Sequence, residues 1–86
     1  PDHAGSLESM MRSLKPGGEV IARPLSVTTE QMIFLLEGTL TVTLNSREHI
    51  LNAGDSIYFN GDELVKLTCG NESQARWISV ITPPVF

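Results

Sequence analysis

The chain has little of what most catalytic chemistry needs. Its 86 residues include one cysteine, Cys69, and two histidines, His3 and His49. A single thiol rules out an internal disulfide. No CxxC or Cys/His cluster offers the ligand set of a structural zinc. Only six Lys and Arg are present against ten Asp and Glu, a net charge of −4. They are scattered from Arg12 to Arg76, so there is no basic stripe for nucleic acid. No apolar run approaches the roughly 20 residues that cross a bilayer. The N-terminus lacks the basic and apolar regions of a secretory signal. A cytoplasmic, reducing setting is therefore expected, in keeping with the lone thiol. The chain starts at Pro1 rather than methionine, which points to processing or to a piece of something longer.

One domain of this size buries roughly 60–65% of the surface its unfolded chain exposes, which leaves stability marginal. With neither disulfide nor metal to add to it, oligomerisation is the expected source of further buried area, and a homodimer is its simplest form.

Residues 1–6 read as a tail and residues 7–86 as a single domain. Leu7, Met10, Met11 and Leu14 share a helical spacing, but the segment is short and Lys15-Pro16-Gly17-Gly18 stops it. A strand is expected here because everything downstream is β. Glu19–Arg23 reads as a strand halted by Pro24. Met32–Leu36 is continuously apolar, the pattern of a strand covered on both faces. Leu40, Val42 and Leu44 alternate with Thr39, Thr41 and Thr43, a period of two in β-favouring residues. Asn45-Ser46 suits a tight hairpin turn. Arg47–Leu51, Ser56–Phe59, Leu64–Thr68 and Ala75–Thr82 complete about seven or eight short strands, the count of a sandwich or barrel. Asp55 after Gly54 reads as a structural turn, and Cys69 as a packing residue. His49, between charged neighbours, reads as an exposed strand histidine. No GxSxG, phosphate loop or paired-carboxylate pattern appears.

The segments Phe34–Val42 and Ala53–Phe59 resemble the two motifs of the cupin family, and the likeness runs from about residue 14 to residue 82. That resemblance implies an all-β fold, a small double-stranded β-helix or jelly-roll barrel, often dimeric. Counting back from Gly38 puts Gln31 at the family's glutamate ligand. The two histidine positions before it fall within Pro24–Val27, and Val65 occupies the third. Neither glutamine nor valine can hold a transition metal by itself, so no metal and no other cofactor is expected. The ending Trp77–Phe86 resembles the C-terminus of bacterial helix-turn-helix regulators whose sensor half is a cupin.

What the resemblance implies is a small-molecule-sensing, dimerising domain of a transcriptional regulator, and not an enzyme. It would reach DNA only through a separate N-terminal helix-turn-helix domain. A stand-alone cupin enzyme of isomerase, epimerase or dioxygenase type remains open, as does a barrel with a filled core that serves only to dimerise. For a small effector, the candidate contacts are Gln31 as an inward hydrogen-bonding group and Arg23 as a partner for a carboxylate. Tyr58 and Trp77 offer aromatic surface, and Val65 occupies the vacated ligand position.

Overall fold

The computed structural model describes residues 8–22 and 29–82, and they form eight strands. These are β1 (Glu8–Leu14), β2 (Glu19–Ile21), β3 (Glu30–Glu37), β4 (Thr39–Leu44), β5 (Arg47–Asn52), β6 (Ser56–Asn60), β7 (Leu64–Cys69) and β8 (Ala75–Thr82). A single 3-10 turn at Gly61–Glu63 separates β6 from β7. All pairings are antiparallel, in two four-stranded sheets ordered β1-β8-β3-β6 and β2-β7-β4-β5. Sequential strands alternate between the sheets except at the β4–β5 hairpin, which is jelly-roll topology. The expected all-β fold and most of the expected strand positions are therefore found.

Local chemistry places the turns. Gly38 (φ +81°) links β3 directly to β4, and a β-carbon there would lie 3.1 Å from Ala75 Cα, so only glycine fits. Asn45 takes φ +50° in the two-residue β4–β5 turn, a conformation asparagine tolerates better than most residues. Asp55 is structural: its Oδ2 accepts from Asn52 N at 2.9 Å, and its own N–H donates to Asn52 O at 2.8 Å.

The segment with helical spacing is β1, paired along its whole length with β8 from Glu8↔Ile81 to Leu14↔Ala75. Tertiary pairing overrides a local periodicity too short to nucleate a helix. β2 ends at Ile21, earlier than its apolar pattern suggested.

The core lies between the sheets. Ile33, Leu35, Phe59 and Trp77 come from the first sheet, and Leu40, Val42, Leu51, Leu67 and Cys69 from the second. The Cys69 thiol donates to Ser73 O at 3.2 Å, so the chain's one cysteine is a buried packing residue.

Strand β3 departs from the sequence reading. It lies between β8 and β6, yet only Ile33 and Leu35 are buried. Met32 and Phe34 are half-buried and Leu36 is exposed. Hence Gln31, Ile33 and Leu35 face the interior, while Glu30, Met32, Phe34 and Leu36 alternate onto an outer face.

Candidate functional site

One end of the barrel gathers several polar side chains. It is formed by the start of β3, the β4–β5 turn and the Gly61–Glu63 turn. Two backbone bonds tie these together: Gly61 N–H to Thr29 O and Asn45 N–H to Glu63 O, both 2.8 Å.

Gln31 projects inward here, opposite Phe59 on β6 and Ile81 on β8. Its Nε2 donates to Thr29 Oγ1 at 3.2 Å, and Thr29 is buried. A β-carbon on Gly61 would meet Thr29 Oγ1 and come within 2.7 Å of Gln31 Nε2, so the turn approaches this pair too closely for any side chain. Among the described residues the Gln31 amide makes this one hydrogen bond. Its carbonyl and second N–H are left to bond elsewhere.

Beside the mouth, between the edge strands β5 and β6, lies a cleft of about 510 Å³. Leu44 and Ile57 give it an apolar floor, and Arg47, His49, Tyr58 and Glu63 supply polar groups. His49 pairs with Val42, whose side chain is fully buried, and Arg47 pairs with Leu44. Cross-strand partners share a face, so both basic side chains project toward the inner side of the second sheet. Glu63 is held in place by accepting from Asn60 N at 3.1 Å. The volume is that of a small-molecule site, and the lining mixes an apolar patch with a few convergent polar groups. At the opposite end a second hollow of about 490 Å³ is lined by turn residues, among them Thr39, Asn71 and Glu72.

The expected contact residues separate clearly. Gln31 is at the mouth, facing in. Tyr58 is 65% exposed on β6 and reaches the cleft only at its rim. Its hydroxyl donates to Glu30, which holds the phenol above its ordinary pKa, chiefly through that hydrogen bond and further through partial desolvation and the Glu30 charge. Val65 does not fill the core: it is the extra residue where the β4–β7 register slips between Thr43 and Leu44, and it stays 42% exposed. Leu64 packs against the core in its place. Trp77 is 2% exposed, sits across from Leu35 and packs in the core. Arg23 lies outside the described residues.

Sequence reasoning missed Thr29, Arg47, His49 and Glu63. His49 is half-buried rather than exposed. The signal was present: in β5 it shares parity with the buried Leu51. Among the described residues, no three His, Cys, Asp or Glu side chains come together as a metal site. No helix among them is long and apolar enough to cross a membrane.

The profile of the cupin domain family matches residues 10–81. A search of curated proteins finds no match. Among solved structures, the chain resembles an HTH_3 family transcriptional regulator from Vibrio cholerae, with a TM-score of 0.84 and 21% identity over 93% of this chain and 44% of that one. It thus spans less than half of that regulator. It also resembles the Cupin_2 domain of an XRE family transcriptional regulator from Enterobacter cloacae, with a TM-score of 0.82 and 16% identity over 93% of this chain and 84% of that one. Ectoine synthase from P. lautus is similar as well, with a TM-score of 0.72 and 16% identity over 94% and 56% of the two chains. At these identities the likeness is one of fold.

Proposed function

The chain belongs to the cupin family, and from that premise we propose that it is the effector-binding and dimer-forming domain of a bacterial helix-turn-helix transcriptional regulator. The observation that carries this reading is the Thr29–Gln31 pair, which sets unspent hydrogen-bonding capacity among apolar side chains at the barrel mouth. Gln31 is half-buried, so its remaining carbonyl and N–H capacity is open to a ligand that takes the place of solvent there. The neighbouring cleft adds Arg47 and His49 as donors for an anionic or carbonyl group, over an apolar floor of Leu44 and Ile57. The effector this favours is a small, partly apolar molecule with a carboxylate or amide. The fold shared with two helix-turn-helix regulators supports the regulatory context. DNA contact would belong to a separate N-terminal domain, and an effector would act by changing the geometry of a dimer and so the spacing of its two DNA-binding heads.

A thermal-shift screen with amino acids, polyamines and small carboxylates tests the reading. A saturable rise in melting temperature is expected from at least one class. Gln31→Met, which keeps the volume and removes the amide, should weaken that ligand by about tenfold, the worth of one to two hydrogen bonds. Saturable binding unaffected by Gln31→Met would remove Gln31 from the site.

A second reading rests on one observation: His49 and Glu63 line the same cleft, an imidazole and a carboxylate, side chains that a small cupin enzyme could use for proton transfer. Elemental analysis separates the two. One transition metal per purified chain would favour the enzyme.

A further inference from the structure

Strand register places two opposite charges of the cleft on either side of Leu44. On β4 that leucine pairs with Arg47 of β5 on one flank and with Leu64 of β7 on the other. Glu63 immediately precedes Leu64, and its carbonyl accepts from Asn45 N–H, which fixes the Gly61–Glu63 turn to the same end of β4. The Cα atoms of Arg47 and Glu63 are thus about 10 Å apart, two strand spacings. Both side chains line the cleft, whose floor is Leu44 from the second sheet and Ile57 from the first.

Neither charge is spent on another charge within the described residues. The ion pairs there are Lys66 with Glu19 and Arg76 with Glu37, all four outside the cleft lining. Glu30 is engaged by the Tyr58 hydroxyl, and Glu48 alternates onto the outer face of β5. Glu63 accepts one hydrogen bond, from Asn60 N–H, and a carboxylate has room for several. The Arg47 guanidinium is a planar fork of donors that matches a carboxylate.

We propose that the ligand of this cleft is an ω-amino acid, with its carboxylate on Arg47, its ammonium on Glu63 and a short methylene chain over Leu44 and Ile57. The proposal rests on the effector-binding reading and names the ligand class of that site. Each end disfavours a simpler ligand. A monocarboxylate on Arg47 would lay its apolar tail against the Glu63 carboxylate and desolvate it unpaired. A monoamine on Glu63 would do the same to Arg47. An α-amino acid carries both charges on one carbon. Engaging both residues would then draw two long side chains across the apolar floor, at a cost in rotamer freedom. His49 lies two residues along β5 from Arg47 on the same face, placed to donate a second hydrogen bond to the carboxylate.

Isothermal titration calorimetry of the 86-residue chain with 6-aminohexanoate, hexanoate, hexylamine and norleucine tests this. The four share one carbon skeleton and differ in which charges they carry and where. 6-Aminohexanoate should bind about five- to tenfold tighter than each of the others, the worth of one charged contact in a partly solvated site. Glu63→Gln keeps an acceptor for Asn60 N–H and removes the charge. It should erase the advantage over hexanoate and leave hexanoate binding unchanged or tighter. Arg47→Gln, at an exposed position of an edge strand, should erase the advantage over hexylamine. A merely structural effect of either substitution would shift all four ligands together. Equal affinity for 6-aminohexanoate and hexanoate, a preference for norleucine, a preference that survives both substitutions, or no binding of 6-aminohexanoate at millimolar concentration would each overturn the proposal. A saturable hit of another class in the thermal-shift screen would then leave the effector-binding reading standing, whereas a screen without hits would remove both.

Discussion

The Tyr58 hydroxyl donates to the Glu30 carboxylate at 2.5 Å, diagonally across the β3–β6 pair where Met32 faces Tyr58 and Glu30 faces Asn60. Tyr58 is the only tyrosine in the chain, so its ionisation can be followed by ultraviolet absorbance without overlap. Its pKa is held above the ordinary value of about 10. The folded chain keeps the phenolic proton more tightly than the unfolded one. The contribution of the bond is therefore complete below about pH 10 and is lost as pH rises through the folded-state pKa. Glu30→Gln should bring the midpoint down toward the ordinary value; an unmoved midpoint would show that the carboxylate is not the cause.

Two glycines should respond to alanine for different reasons. Gly61 is crowded by Thr29 and Gln31, so Gly61→Ala overpacks the mouth, at a cost of about 1–3 kcal/mol. Gly54 has open space around its Cα but sits at φ +96°, and Gly54→Ala should cost about 1–2 kcal/mol through backbone strain alone. Chemical denaturation measures both. Only Gly61→Ala should also alter effector binding.

Thr43 is buried and its Oγ1 has no hydrogen-bond partner among the described residues. Thr43→Val keeps the shape and removes the orphaned hydroxyl. It should be neutral or stabilising by up to about 1 kcal/mol, visible as a higher melting temperature. A clear loss of stability would reveal a partner for that hydroxyl.

Trp77 is the only tryptophan, and its burial against Leu35 should give blue-shifted emission. Trp77→Phe should cost about 1–3 kcal/mol through the volume left empty in the core. Because the indole lies away from the barrel mouth, effector-induced shifts should survive the change. Their disappearance in a folded variant would return Trp77 to the binding site.

The strand plan was legible because turn chemistry is local. Gly38, Asn45-Ser46 and Asn52–Asp55 break the chain where the structure turns it. The alternation of Leu40, Val42 and Leu44 fixed the buried face of β4. The candidate site was legible at Gln31 and, at the cleft, Tyr58. The position of Val65 depends on a register slip opposite Thr43 and Leu44, which no local pattern announces. His49 was obscured by its charged neighbours, although those neighbours lie at an open barrel end where solvent reaches them. Met32–Leu36 misled in a different way. An apolar run reports that both faces avoid water, without saying whether the same chain supplies the cover.

Strand β3 separates the mouth from the outer face by a single peptide unit: Gln31 points one way, Glu30 and Met32 the other. Under the proposed function, effector binding and association of two chains would share a thermodynamic cycle. If an effector on Gln31 tightens that association by some factor, association must tighten the effector by that same factor. Apparent effector affinity would then rise with protein concentration, so a titration repeated at two dilutions would measure the coupling without any structure of the complex.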